Sequence, residues 1–217
     1  MVAKKHVDRF SVFLGSLLAV GSVFWSGEIA AQPPAVGDTV WSKPLLLGAH
    51  RGGRGLWPEN TALAYREAAA RWPEILLEGD IRETAEGVPV LIHDEDVDRT
   101  TDGTGKVTEM TLEQVKKLDA GYRFTPDNGV TFPYRGKGVT IPTLREALDA
   151  APDQRFLMEL KGGAGLADAV GKVVLDAGAA SRFLAASFKF TQMERLRAAA
   201  PGISTCFDFR SARELLQ

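Results

Sequence analysis

The chain has 217 residues, 45% of them hydrophobic, enough to bury a core and consistent with a single domain. Lys and Arg number 26 against 28 for Asp and Glu, a net charge of −2, so composition gives no reason to expect a nucleic-acid partner. A single cysteine, Cys206, excludes an internal disulfide and a Cys-rich zinc site.

Lys4, Lys5 and Arg9 precede the apolar run FSVFLGSLLAVGSVFW at 10–25, and Ile29-Ala30-Ala31 follows shortly after. A basic head, a short apolar centre and a small-residue exit are the parts of a secretory leader. The run is shorter than the roughly 20 residues of a spanning helix. Residues 1–31 are therefore expected to be a signal peptide, 32–44 a linker and 45–217 the folded domain. The expectation is an exported protein, periplasmic or secreted. An uncleaved leader acting as an N-terminal anchor is the alternative, and the one route by which a membrane enters.

From residue 45 onward, strand-like runs at 45–49, 75–83, 88–93, 155–161, 183–188 and 203–208 alternate with helical patterns. TLEQ (111–114), TLRE (143–146), TQME (191–194) and SARE (211–214) each fit a capping box, and Asn60 or Thr61 can cap a helix running to about Trp72. This alternation predicts an α/β fold of βα units around a parallel sheet. Between 75–84 and 88–93 the link is too short for a parallel crossover and predicts a hairpin. A two-residue Glu86-Gly87 loop sets Asp80 opposite His93. The Gly- and Pro-dotted stretch 121–142 reads as a long loop of the kind that walls or lids a site.

Polar groups gather at the strand ends. GAHRGGRGLWPENT (48–61) closes the first strand with His50 and Arg51 before a run of glycines. Strand alternation puts Leu76, Glu78 and Asp80 on one face, and places Glu159 with Lys161 likewise. Carboxylates side by side at the end of an apolar strand repel unless a cation sits among them. Glu78, Asp80 and Glu159 are hard oxygen donors suited to Mg²⁺ or Ca²⁺. The plainer reading of the same residues is a set of ion pairs, Glu78 with Arg82 or Glu159 with Lys161. His50 and His93 have the residue type for proton transfer near neutral pH, with His93 also a conceivable metal ligand. Arg51 and Lys161 suit a phosphate. Glu59 either orients Arg51 or begins the next helix. DEDVDRTTDGTG (94–105) lacks the glycine and final glutamate of an EF-hand and reads as a solvated acidic loop.

Taken together, HRGG with PENT, LEGDIRET, VPVLIHDEDVDRTTDGTG, IPTLREAL, FLMELKG and AASF closely resemble the glycerophosphodiester phosphodiesterase family, in family order over about residues 45–210. The resemblance implies a (β/α)₈ TIM barrel and metal-dependent hydrolysis of glycerophosphodiesters to glycerol 3-phosphate and an alcohol. It implies Glu78, Asp80 and Glu159 as ligands of Mg²⁺ or Ca²⁺, His50 and His93 as the acid/base pair, and Arg51 and Lys161 as phosphate contacts. A related lysophospholipase D or sphingomyelinase D-type barrel is the alternative enzyme, and a non-catalytic binding fragment the alternative class. Such barrels take about 250 residues. About five βα units and a hairpin arm are legible here, so the barrel is expected to be C-terminally incomplete. The isolated chain is then expected to be poorly soluble and nearly inactive, unless a partner chain supplies the remaining strands.

Overall fold

The computed structural model describes residues 47–206. The proposed leader and linker, Leu45, Leu46 and the SARE capping box all lie outside the described residues. Six strands form one sheet: β1 (Gly48–Ala49), β2 (Leu76–Glu83), β3 (Pro89–Leu91), β4 (Arg155–Leu160), β5 (Phe183–Ala186) and β6 (Ser204–Thr205). The order β1-β2-β4-β5-β6 is parallel throughout, with β3 antiparallel on β2. The helices are α1 (Ala62–Arg71), α2 (Leu112–Lys116), α3 (Leu144–Ala150), α4 (Leu166–Asp176) and α5 (Phe190–Ala199). The architecture is therefore α/β, five parallel barrel strands with an antiparallel arm, as the strand spacing predicts.

Alternation along the strands divides the sheet into two chemistries. Leu77, Ile81, Phe156, Met158, Phe183 and Ala185 point to one face and are buried under the helices. Tyr65 of α1, Leu144 and Leu148 of α3, Val170 and Val174 of α4, and Leu196 of α5 complete that layer. Each of these large side chains stabilises the fold by about 1.5–3 kcal/mol when fully buried. The opposite face carries Leu76, Glu78, Leu157, Glu159 and Leu184, which are only partly buried. This is the face a barrel turns inward, and the register across β2 and β4 pairs Asp80 with Glu159 on it.

Helix starts follow their cap chemistry in most places. Thr61, rather than Asn60, caps α1 by accepting from the Ala64 amide. Thr111 and Thr143 form full capping boxes with Gln114 and Glu146. TQME does not. Helix α5 already begins at Phe190 after Lys189, which gives no side-chain cap. The Ser187 hydroxyl instead accepts from the Lys189 amide and turns the chain a few residues early.

The hairpin is also shifted by one residue. Glu83 pairs with Pro89 and Ile81 with Leu91, so the Ile92 amide, not His93, meets the carbonyl of Asp80. The Thr84 hydroxyl accepts from the amides of Glu86 and Val88, which closes a longer turn starting at Thr84. Beyond the arm lies a second, smaller core of Val90, Ile92, Val97, Val107, Val115 and Ile141. Stretch 121–142 forms no regular element, and its last residues pack Val139 and Ile141 into this core. The acidic 94–105 stretch is likewise folded: Val97 and Thr101 are buried, and Asp98 accepts from the Gly105 amide. Among the described residues no helix is long and apolar enough to cross a membrane.

Candidate active site

Strand β1 ends in a single turn at His50–Gly52, where Arg51 adopts φ 53° and Gly52 and Gly53 are also left-handed. This reversal swings the Arg51 amide onto Glu78, donating to its Oε2 at 2.7 Å. A Cβ on Gly52 would lie about 3.0–3.1 Å from Ala64 and Tyr65, so only glycine lets the turn lie this close on α1. The Arg51 guanidinium reaches Glu59 Oε1 at 2.9 Å and sits 3.5 Å from Asp80 Oδ2. Glu59 therefore orients Arg51 and lies before the cap, outside the helix.

Asp80 is almost fully buried and its carboxylate is shared. Asn60 Nδ2 donates to it at 3.0 Å, and Lys161 Nζ stands 3.3 Å away on the other oxygen. Lys161 also pairs with Glu159 at 3.0 Å. The Glu159–Lys161 ion pair thus exists, but it includes Asp80 as well. Glu78 does not pair with Arg82, which turns instead to the His93 carbonyl and toward Glu95. Burial pushes the Glu78 carboxyl up to about 7, and the charges of Asp80 and Glu159 add to that against the Arg51 amide. His50 Nε2 lies 3.9 Å from Glu78, and its buried Nδ1 has no partner. Burial, reinforced by Arg51 and Arg54, lowers its pKa and keeps the ring neutral.

His93 stands at the end of the arm, in a shallow cleft that it shares with Glu59, Asn60, Thr100 and Ile141. Its Nδ1 lies 2.6 Å from Asp94 Oδ1. Burial would raise the Asp94 carboxyl, but hydrogen bonds from Arg99 and His93 outweigh it and bring it down to about 2. An ionised carboxylate only accepts, so His93 donates from Nδ1.

Sequence reasoning placed His50, Arg51, Glu78, Asp80, Glu159, Lys161 and His93 at one edge, and the first six are joined by the contacts above. It missed three residues. Asn60 links Asp80 to Tyr65, whose hydroxyl donates to Asn60 Oδ1. Asp94 and Arg99 bind His93 and Glu59. The available signal for Asn60 was two cap-type residues in succession where one cap is needed.

The three carboxylates do not form a ready coordination sphere: among the described residues no three acidic, His or Cys groups are gathered to hold an ion. Lys161 stands between two of them. Their chemistry nevertheless fits a divalent cation. All three are hard oxygen donors on one face, and Glu78 is driven toward its neutral form by burial and by its negative neighbours.

The glycerophosphoryl diester phosphodiesterase family profile matches residues 50–215. The chain belongs to this family. A glycerophosphodiester phosphodiesterase of Caldanaerobacter subterraneus subsp. tengcongensis is 36% identical over 162 residues, 72% of this chain and 63% of that protein. The chain thus spans less than two thirds of the length of such curated relatives, 56% to 64% of three of them. Among solved structures, a glycerophosphodiester phosphodiesterase from Agrobacterium tumefaciens str. C58 aligns with a TM-score of 0.67 at 29% identity, over 78% of this chain and 69% of that one. An Oleispira antarctica phosphodiesterase in complex with the product sn-glycerol-3-phosphate aligns at 0.66 and 27% identity, over 82% and 73%. Among the described residues the TIM barrel is partial, which agrees with this partial coverage.

Proposed function

We propose that this family member hydrolyses glycerophosphodiesters to glycerol 3-phosphate and an alcohol, using a divalent metal ion, in lipid and glycerol metabolism. The observation that carries it is the chain of contacts from Arg51 through Asp80 and Lys161 to Glu159 on the strand-end edge of a family barrel. The relatives' names and the product-bound Oleispira structure support the substrate class.

Glu78, Asp80 and Glu159 would hold Mg²⁺ or Ca²⁺, which when bound polarises a phosphoryl oxygen and offsets the charge developing there. The Lys161 ammonium would yield its place between the carboxylates and, with Arg51, bind the phosphate. The neutral ring of His50 suits it to take the proton of the attacking hydroxyl, from water or from the substrate's own glycerol. As the new P–O bond forms and the ester P–O bond breaks, a proton carried on His93 Nε2 passes to the leaving alkoxide, which leaves the neutral ring with its Nδ1–H. Asp94 holds its tautomer.

Incubation of the protein, together with any partner chain that completes its barrel, with glycerophosphocholine and Mg²⁺ or Ca²⁺ should release glycerol 3-phosphate and choline. Faster turnover of lysophosphatidylcholine or sphingomyelin would instead place the chain with the related phospholipase D-type barrels.

A further inference from the structure

Arg99 is joined to both halves of the candidate site without belonging to either. Its NH1 and NH2 donate to the two oxygens of Glu59 at 2.9 and 2.7 Å, and its Nε donates to Asp94. Glu59 in turn holds Arg51, and Asp94 holds His93. We propose that Arg99 is a positioning residue that fixes His93 and Arg51 relative to one another, acting through Asp94 on one side and Glu59 on the other. The proposal rests on the phosphodiesterase reading, in which Arg51 binds the phosphate and His93 moves a proton.

Three observations favour positioning over simple stabilisation. First, the segment that carries Arg99 is held without it. Val97 is buried, Thr101 bonds the Val97 carbonyl, Asp98 accepts from the Gly105 amide, and the backbones of Asp96 and Lys106 pair antiparallel. Second, the Arg99 side chain is 47% exposed, and the more buried Glu59, at 13%, keeps Arg51 as a partner when Arg99 is removed. Third, the guanidinium gives Glu59 a two-pronged pair through NH1 and NH2 while its Nε serves Asp94, a fixed planar arrangement that a lysine ammonium does not reproduce. Nε, NH1 and NH2 each donate to a carboxylate, which uses three of the five guanidinium N–H bonds. Hydrogen bonds to Glu59 and Asp94 hold its pKa above the ordinary guanidinium value, so it stays charged throughout.

The test uses Arg99→Ala and Arg99→Lys in the full chain, with two readouts. With glycerophosphocholine as substrate, Arg99→Ala should lower kcat on the order of 10-fold or more, raise KM, and leave the melting temperature nearly unchanged. Arg99→Lys should recover less than half of the loss. Free guanidinium in the medium should restore part of the Arg99→Ala activity. In ¹⁵N spectra of the imidazoles, His93 should show the Nδ1–H tautomer in the wild type and a mixture in Arg99→Ala. Unchanged kcat, KM and His93 signals in Arg99→Ala would overturn the proposal, as would full activity in Arg99→Lys. So would a loss of activity matched by a fall in melting temperature with a native His93 signal. Should Arg99→Ala fail to fold, the charge-preserving lysine variant decides by the same criteria. If the wild type hydrolyses no glycerophosphodiester, the enzymatic reading fails, while the His93 tautomer still decides the clamp.

Discussion

The amide of Asn60 donates to the carbonyl of Arg51 at 2.9 Å, and both residues are left-handed, with φ of 55° and 53°. Left-handed backbone at residues with a side chain costs about 1–3 kcal/mol and persists only where surrounding contacts over-determine it. Here the contacts are plain. Asn60 Nδ2 donates to Asp80 Oδ2, and Asn60 Oδ1 accepts from the Asp80 amide and the Tyr65 hydroxyl. Asn60→Ala leaves those buried partners unsatisfied and should destabilise by about 3 kcal/mol or more. Asn60→Gly loses the same bonds but relieves the backbone, and should be about 1 kcal/mol less damaging. Urea unfolding of the two variants decides. Equal stability would mean that the left-handed turn carries no strain.

Gly79 makes the same junction possible from the sheet side. A Cβ there would lie 2.1 Å from the Tyr65 hydroxyl and 2.9 Å from Asn60 Oδ1. Gly79→Ala should therefore destabilise by about 2–3 kcal/mol. Tyr65→Phe removes the nearest clashing atom, so the double variant should be less unstable than the sum of the singles by at least about 0.5 kcal/mol. Strict additivity would show that Tyr65 is not the obstacle.

Glu78 gives the metal-free protein a specific pH dependence. Its folded pKa of about 7 lies above the ordinary 4.5, because burial comes first and the charges of Asp80 and Glu159 reinforce it. A carboxyl raised on folding contributes stability that is full below 4.5 and is lost as pH rises through about 7. His50, lowered by burial, acts in the opposite sense, contributing above its unfolded value and losing as pH falls. Comparison with Glu78→Gln isolates the first effect. Melting temperatures between pH 4.5 and pH 7 should fall more steeply in the wild type than in Glu78→Gln. Added Mg²⁺ or Ca²⁺ should flatten the wild-type slope. Parallel profiles would show that Glu78 is not held near neutrality.

Both protons of a turnover must move together, so His50 and His93 should act as one unit. Each Ala substitution should cost on the order of 10²-fold or more in kcat, and the double variant far less than the product of the two. A pH–rate profile unchanged by either substitution would remove both from proton transfer.

The parts of this molecule that sequence made legible are those with a period or a fixed chemical partner. Alternation in ILLEGDI put Glu78 and Asp80 on one face, and Thr111 and Thr143 announced their capping boxes. The hairpin register was lost to one hydroxyl, since Thr84 begins the turn earlier than a two-residue loop would. The α5 start was lost the same way, through Ser187. Asn60 and Arg99 were not legible because their partners Asp80 and Glu59 lie far along the chain, whereas Asp94 adjoins His93 and read only as part of an acidic loop. Glu59 and Arg99 are 40 residues apart, and no periodicity relates them. The acidic stretch around Arg99 resembled a damaged calcium loop, which drew attention to its aspartates and away from its arginine.

The central claim is that the carboxylate face of β2 and β4 holds a divalent ion for phosphodiester hydrolysis. The most direct measurement is glycerophosphocholine turnover by protein stripped with EDTA and dialysed, then titrated with Mg²⁺ or Ca²⁺. The account predicts no turnover in the stripped protein and recovery on metal addition. Glu78→Gln, Asp80→Asn and Glu159→Gln should each recover little at any metal concentration. Undiminished turnover in excess EDTA would contradict it.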